Sequence, residues 1–208
     1  MLLTSIEYLL VFILSVNIIY LLIFSIASHC PPKNQKIIVH VLNRIVILIP
    51  AYKEDQVVME CVNSCLTQNY PKEQYDIVVI SDQMQDSTLL KLEALPLKLI
   101  KVFFKDSTKA KALNYAMAEI GDNYDIAIIL DADNVVDSEF LLHINTSMNQ
   151  KGVEIVQAHR TAKNQNTKLA ILDAVSEEIN NSIFRLGHSN VGFSAALIGS
   201  GMAFKYYY

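Results

Sequence analysis

The sequence predicts an α/β fold, in which helices cover both faces of a mainly parallel sheet, preceded by one transmembrane helix. Two patterns lead to this prediction. An uncharged apolar run lies near the N-terminus, and after Arg44 short β-branched runs alternate with stretches of helical periodicity. Parallel strands need helical crossovers and become buried on both faces, so the alternation predicts a series of βα units.

The predicted elements follow one another along the chain after Arg44. The predicted strands read RIVILIP, YDIVVIS, LKLIKVFF, YDIAIIL and GVEIVQAH. The predicted helices between them read VVMECVNSCLTQ, STLLKLEAL, TKAKALNYAMAEI and SEFLLHINTSMNQ. In such sheets ligands bind beyond the carboxyl ends of the strands, so the residues that follow each strand are the candidates for a site.

The apolar run occupies residues 8–27 and contains no charged side chain. As a helix it would be about 30 Å long, which matches the hydrocarbon thickness of a bilayer. A cleaved signal peptide is the alternative, but Glu7 and no basic residue precede the run. We therefore predict an N-terminal tip at 1–7, a retained transmembrane helix at 8–27, a juxtamembrane tether at 28–43 and one domain at 44–208.

The basic residues beside the run predict its orientation. Lys33, Lys36 and Arg44 follow the run, and no lysine or arginine precedes it. Basic residues next to a membrane span favour the cytoplasmic side. The sequence therefore predicts a membrane protein whose domain lies on the cytoplasmic side.

Composition excludes some classes of protein. An apolar fraction of 52% is enough for a packed core, and 17 basic against 21 acidic residues give a net charge of −4. Nucleic-acid binding needs a basic surplus on one face, so we expect no nucleic-acid partner. Three cysteines are present, and Cys61 and Cys65 lack the companion ligands of a zinc site, so we expect reduced packing residues.

A further helical pattern covers residues 168–186. Leu169, Leu172, Val175 and Ile179 lie near one stripe of that helix. We interpret the stripe as core packing. The alternative is a helix on a bilayer surface, although the acidic residues of this segment disfavour anionic lipid.

Two aspartates follow the strand YDIAIIL. Asp131 and Asp133 are separated only by Ala132. Two carboxylates close together disfavour simultaneous ionisation, and burial raises that cost. A positive group should therefore lie between them: a lysine or arginine, a cluster of backbone amides at a helix start, or a divalent metal.

Other strand ends bring polar groups to the same rim. Tyr52 could pack against a nucleobase, and Asp82 could accept a hydrogen bond from one. Lys109 and Lys111 open a helix, and a helix N-terminus with ammonium groups suits phosphate. Together these groups predict a nucleotide diphosphate, with Mg²⁺ or Mn²⁺ bound by the two aspartates and by phosphate oxygens.

These segments also resemble a known family. VILIPAYKED, IVVISDQMQDST, KAKALNYAM and IAIILDADN look like the successive motifs of the inverting family 2 glycosyltransferases, which have the GT-A fold. The resemblance runs from about Arg44 to Phe204. It implies transfer of a sugar from a nucleotide-diphospho donor, a UDP-sugar, to an envelope glycan or lipid-linked acceptor with inversion.

The resemblance also implies roles for particular residues. Asp82 would contact the base, Lys109 the nucleotide, Asp131 ribose or metal, and Asp133 the metal. The later segment ALIGSGMAF resembles the part that lines the acceptor side, which brings in Gly199, Ser200 and Gly201. The nucleotide-sugar site is thus expected to contain Pro50, Ala51, Tyr52, Glu54, Asp82, Lys109, Asp131, Ala132 and Asp133.

The chain departs from the family pattern in two places. After the second strand, Gln83 stands where the family has a glycine, so the turn is expected to sit differently. Family members also continue to an acidic motif that supplies the general base, whereas this sequence ends at Tyr208. We therefore expect an N-terminal portion that binds donor and transfers poorly, with the catalytic base beyond Tyr208.

Two alternatives stay open at this point. IAIILDADNV also satisfies the pattern of haloacid dehalogenase phosphatases, in which the first aspartate would be the nucleophile. That motif normally begins its domain, which disfavours the phosphatase. The other alternative is a membrane-anchored module that binds nucleotide without turnover.

Overall fold

The computed structural model describes residues 2–30, 41–150 and 152–207. Its contacts divide the chain into two compact units. The first unit comprises the described residues of Met1–Lys36 and His159–Leu197, and the second those of Ile37–Ala158 and Ile198–Tyr208. The predicted domain boundary at residue 44 stays a prediction. Residues 159–197, which lie within the predicted domain of 44–208, belong to the same compact unit as the N-terminal helix.

The second unit contains the sheet. Its strands are β1 Ile45–Tyr52, β2 Tyr75–Asp82, β3 Lys98–Val102, β4 Ile126–Ile129, β5 Ile155–Gln157 and β6 Met202–Lys205. Its helices are α2 Val58–Leu66, α3 Asp86–Glu93, α4 Lys109–Ile120 and α5 Phe140–Met148, with a short 3₁₀ turn at Lys72–Gln74.

The strand order is β3-β2-β1-β4-β6-β5. β1 pairs in parallel with β2 and β4, and β2 with β3, which confirms the mainly parallel sheet. β6 is the exception, because it runs antiparallel between β4 and β5. The sequence pattern missed β6, since its four residues are too few for a recognisable alternation, and it predicted β5 over eight residues where three are paired.

Helices cover both faces of this sheet. Ile45, Ile47 and Ile49 of β1 pack with residues of α2 and α5, whereas Val46 and Leu48 pack with residues of α4. Successive side chains of a strand point to opposite faces, so a strand that is apolar at every position needs a covering layer on each side. The predicted architecture of the sheet is therefore confirmed.

The first unit contains the remaining helices. They are α1 Leu2–Ser28, α6 Lys168–Asn180, a π-helical turn at Asn181–Gly187, and α7 His188–Asn190. α1 begins at Leu2 and thus extends into the predicted N-terminal tip at 1–7, and the start of the membrane span at residue 8 stays a prediction. Leu3–Ser28 is long and apolar enough to cross a membrane, with a mean hydropathy of 2.7. Residues 31–40 of the predicted tether lie outside the described residues.

The apolar stripe of α6 is exposed. Leu169 is 70% exposed, Leu172 65%, Val175 51% and Ile179 49%. The interpretation of this stripe as core packing was therefore wrong. Periodicity shows which side chains share a helix face, but it does not show what covers that face.

Candidate functional site

A cavity of about 290 Å³ lies beyond the carboxyl ends of β1, β2 and β4. All nine residues predicted for the nucleotide-sugar site line it: Pro50, Ala51, Tyr52, Glu54, Asp82, Lys109, Asp131, Ala132 and Asp133. Parallel strands end at the same edge of the sheet, so residues that are far apart in the sequence meet there. The structure thus brings the residues predicted for the donor site together.

Asp82 is the most deeply placed acid of this cavity, with an exposure of 1%. Its carboxylate accepts hydrogen bonds from the Ser107 hydroxyl and, at 3.4 Å, from the backbone N–H of Phe104. These donors fix the orientation of the carboxylate and compensate part of its desolvation. A fixed acceptor that lines the cavity can select a ligand that carries an N–H group.

Lys109 supplies a positive charge beside the aspartate pair. Its Nζ lies 2.5 Å from Oδ1 of Asp131 and 2.6 Å from the carbonyl oxygen of Gly199. Both side chains of the ion pair are partly exposed, so the pair adds little stability. An anionic ligand could draw the ammonium group away from Asp131 at low cost. Lys111 instead donates to the carbonyl of Asp106 and does not line the cavity.

Ser200 contacts the backbone of Asp131 and is fully buried. Its Oγ accepts a hydrogen bond from the backbone N–H of Asp131 at 2.9 Å and one from Nδ2 of Asn134 at 2.7 Å. The glycines on either side, Gly199 and Gly201, have φ angles of 80° and 63°, which glycine adopts without strain. The residues predicted for the acceptor side therefore support the aspartate pair in this structure.

Gln157 holds the same turn from β5. Its Nε2 donates to the carbonyl oxygen of Ser200 at 2.9 Å, and its Oε1 accepts from the backbone N–H of Ile198 at 3.1 Å. Gly201 also donates its N–H to the carbonyl of Ile129 at the end of β4. One side chain thus fixes both ends of the turn that supports Asp131.

Asp133 is exposed, and among the described residues its carboxylate has no hydrogen bond or ion pair in the structure. Carboxylate oxygen is the ligand that Mg²⁺ and Mn²⁺ prefer, and Mg²⁺ often keeps only one or two protein carboxylates together with substrate phosphates. The described residues contain no group of three or more acidic, histidine or cysteine side chains that could hold a metal. A metal at Asp131 and Asp133 would therefore need further oxygen ligands in addition to these two carboxylates.

Cys61 lies close to the pair but does not fit as a metal ligand. The hydrogen bond with Cys65 raises the pKa of the Cys61 thiol, and burial and the nearby carboxylates of Asp133 and Asp131 raise it further. A thiol must lose its proton to bind a metal. Both cysteines are buried and free, as expected for packing residues.

The turns after β1 and β2 share an unusual backbone conformation. Lys53 follows Tyr52 and Gln83 follows Asp82, and each has a φ of 55°. The N–H of Lys53 donates to the carbonyl of Asp82 at 3.1 Å, which joins the two turns. Gln83 thus adopts the left-handed conformation that glycine would adopt at this position, and its side chain donates to the carbonyl of Phe104.

Sequence reasoning missed four residues of the cavity wall, which are Ile80, Ser107, Thr108 and Ala112. Thr108 is the N-cap of α4, and its side chain accepts from the backbone N–H of Lys111. A threonine directly before a helical pattern is a recognisable cap, so this residue could have been found. The contact between Ser107 and Asp82 joins residues 25 positions apart and has no local signal.

Comparison with known proteins gives relatives for most of the chain. The enzyme named dolichyl N-acetyl-alpha-D-glucosaminyl phosphate 3-beta-D-2,3-diacetamido-2,3-dideoxy-beta-D-glucuronosyltransferase of Methanococcus voltae is 26% identical over 157 residues, which are 71% of this chain and 45% of that protein. The chain therefore spans about half the length of this relative.

Solved structures share the fold. The mannosyltransferase PcManGT of Pyrobaculum calidifontis, solved in complex with GDP-Man and Mn²⁺, superposes with a TM-score of 0.69 at 22% identity over 89% of this chain and 52% of that one. S. aureus TarS 1-349, solved in complex with UDP-GlcNAc, superposes with a TM-score of 0.50 at 19% identity over 60% of this chain and 36% of that one. These likenesses show the GT-A fold.

The family assignment follows from the length of the match. The model of the family described as "Glycosyltransferase like family 2" matches residues 43–206, which include every strand of the sheet and the whole cavity wall. The protein therefore belongs to the glycosyltransferase family 2.

Proposed function

We propose that this protein takes part in the transfer of a sugar from a nucleotide-diphospho donor, a UDP-sugar, to a glycan or lipid-linked acceptor with inversion at the anomeric carbon. The convergence of all nine predicted donor residues on one cavity carries this proposal. The bound nucleotide sugars of PcManGT and TarS support it by likeness.

Each part of the cavity has a role in this proposal. Asp82 accepts a hydrogen bond from the base, and Tyr52, which is 45% exposed, packs against the base ring. Lys109 moves from Asp131 to the diphosphate. Asp133 and Asp131 would hold Mg²⁺ or Mn²⁺, and the ion would supply positive charge for the leaving diphosphate.

The reaction breaks the bond between the anomeric carbon and the diphosphate oxygen and forms a bond from that carbon to the acceptor oxygen. The acceptor hydroxyl must lose its proton to a general base. We assign that base to none of the described residues. Those residues bind and orient the donor.

The proposal includes attachment to a membrane by α1. From Leu3 to Ile23 its apolar side chains are largely exposed, and burying them in lipid would remove them from water. The placement of the sheet unit on the cytoplasmic side stays part of the proposal and rests on Lys33, Lys36 and Arg44.

The Asp133→Ala variant tests the donor site. We expect it to lose the Mn²⁺-dependent part of UDP affinity, because Asp131 alone must then hold the metal beside Lys109. Isothermal titration calorimetry of UDP with and without MnCl₂ measures this loss. Circular dichroism checks that the variant is folded.

Asp122→Ala is the matched control. Asp122 is an exposed aspartate before β4, at the opposite end of that strand from Asp133. Removal of the Asp122 carboxylate should leave the affinity for UDP unchanged. If Mn²⁺ affects UDP affinity equally in wild type and Asp133→Ala, the proposed metal site is wrong.

The family assignment leaves the phosphatase alternative without support.

A further inference from the structure

An exposed apolar segment begins in the last two residues of the π-helical turn of the first unit. We call residues 186–197 the apolar tip. Leu186 is 39% exposed, Val191 48%, Phe193 64% and Leu197 49%. The sequence of the tip, LGHSNVGFSAAL, contains no aspartate, glutamate, lysine or arginine. Such a cluster of exposed apolar side chains without charge is the kind of surface that marks an interaction site.

The tip is packed against the C-terminal part of α1 in the same unit. A Cβ atom on Gly187 would lie 2.4 Å from the carbonyl oxygen of Phe24, so glycine permits the closest approach of the two backbones. The rings of Phe24 and Phe193 have centroids 6.1 Å apart. The apolar tip therefore lies beside Phe24 of α1.

Polar contacts fix the same arrangement. The hydroxyl of Tyr20 and Nε2 of His188 lie 2.7 Å apart, and Nδ2 of Asn190 donates to the carbonyl of Ala27 at 2.9 Å. The Ser182 hydroxyl donates to that of Ser28, at 2.8 Å. These bonds satisfy polar side chains that would otherwise be costly to place in an apolar medium.

The contacts on α1 set the depth of the tip in a membrane. Phe24 is four residues from Ser28, the end of α1, which is about 6 Å along a helix axis. If α1 crosses a bilayer, a segment that touches Phe24 must lie at the same depth, near the boundary between acyl chains and headgroups. The rings of His188 and Phe193 in the tip lie against Phe24 of α1, and that of Phe184 in the π-helical turn lies against Tyr20.

The backbone of the tip is prepared for this environment. The N–H groups of Val191 and Phe193 both donate to the carbonyl of His188, and that of Gly192 donates to Ser189. Backbone groups near hydrocarbon need internal partners because little water is present to replace them. The nearest basic residue, Arg185, is paired with Glu177 at 2.9 Å.

We propose that the apolar tip is a second membrane contact, which inserts Val191, Phe193 and Leu197 into the interfacial layer of the bilayer beside α1. This inference rests on the proposed anchoring by α1 and deepens it. The tip carries no lysine, arginine, aspartate or glutamate. It therefore contacts the apolar part of zwitterionic lipid and does not require anionic headgroups.

Site-directed fluorescence labelling of the full chain tests the tip. In a Cys30→Ser background only the two buried thiols remain, so a new exposed cysteine can be labelled selectively with an environment-sensitive dye. We would label Phe193→Cys in phosphatidylcholine nanodiscs with and without nitroxide-bearing lipid. We expect emission at shorter wavelength and quenching by the nitroxide lipid.

Two control positions make the outcomes distinguishable. Asn166→Cys, in an exposed polar stretch of the same unit, should be quenched by aqueous iodide and not by nitroxide lipid. Leu14→Cys, in the middle of α1 and 61% exposed, should be quenched only by nitroxide lipid. If the Leu14 label is not quenched by lipid, the anchoring by α1 is wrong, and the inference about the tip falls with it.

The inference about the tip alone fails in two ways. If the Leu14 label is quenched by lipid but the Phe193 label behaves like that at Asn166, the tip lies in water. If the Phe193 label is protected from iodide and also from nitroxide lipid, a protein surface covers it. Either result overturns the membrane contact while leaving the anchoring by α1 intact.

Discussion

Asp131 has two partners of different kinds. Its side chain is paired with Lys109, and its backbone N–H is held by Ser200. The first contact is partly exposed and easily exchanged, whereas the second is fully buried and fixes the chain. Under the proposed function, a carboxylate on a rigid backbone with an exchangeable cation would be suited to exchange its ammonium partner for a metal ion.

The Ser200→Ala variant separates the fixed contact from the exchangeable one. The variant leaves the N–H of Asp131 and the amide of Asn134 without their shared acceptor, which should cost about 1–3 kcal/mol of unfolding free energy. We also expect weaker Mn²⁺-dependent binding of UDP, because Asp131 loses its support. Thermal unfolding and calorimetry measure the two effects.

Ser87→Ala is the control for this prediction. Ser87 is an exposed residue of α3, and its replacement should change stability by less than about 0.5 kcal/mol. Unchanged stability in Ser200→Ala would show that the buried hydroxyl has no supporting role.

At the scale of elements, the two helical segments of the first unit are joined by close backbone packing. Gly187 of the π-helical turn faces the carbonyl of Phe24 in α1. π-helical turns are rare and often occur at functional positions. Here the turn lies at the point where α6 ends and the apolar tip begins, so it sets the position of the tip relative to α1.

The Gly187→Ala variant tests this packing. A methyl group 2.4 Å from a backbone oxygen cannot be accommodated without moving one of the two segments. We expect the free energy of unfolding to fall by about 1–3 kcal/mol, as at other overpacked sites. Unfolding followed by circular dichroism in detergent micelles measures it.

Ser176→Ala, on the exposed part of α6, supplies the comparison. It should leave the unfolding transition unchanged. Equal stability of wild type and Gly187→Ala would mean that the two backbones do not approach as closely as described.

At the scale of the whole molecule, the phenols of Tyr70, which is buried, and of Tyr124, which is half-buried, make stability sensitive to high pH. Burial raises the pKa of Tyr70 to about 12, and burial together with a hydrogen bond to Asp76 raises that of Tyr124 to about 12. A raised pKa means that the folded state favours the protonated phenol. The resulting stability is complete below pH 10, the ordinary value, and is lost as the pH rises from 10 through 12.

Replacement of one phenol should reduce this sensitivity. Tyr70→Phe removes the hydrogen bond to the carbonyl of Asn43. We therefore expect the free energy of unfolding to fall by about 1 kcal/mol at neutral pH. Between pH 10 and 12 the variant should lose less stability than the wild type. Urea unfolding at pH 8 and at pH 11 gives both differences, and parallel pH profiles of the two proteins would contradict the assignment.

The sequence by itself determined the parallel part of the sheet and the rim of the cavity. Buried strands carry continuous β-branched runs, and helices between them enforce parallel order, so both features are visible in local patterns. The strand ends then meet at one edge of the sheet by geometry alone. For this reason the sequence alone places Asp82, Lys109 and Asp131 at one edge of the sheet.

Only the tertiary structure decided the position of β6, the support of Asp131 by Ser200, and the exposure of α6 and the apolar tip. Ser200 and Asp131 are 69 residues apart, and no local pattern specifies which buried hydroxyl meets which backbone amide. Likewise, apolar periodicity shows which side chains share one face of a helix, but it does not show which other element packs against that face. These features depend on long-range packing, in which many alternative partners satisfy the same local sequence.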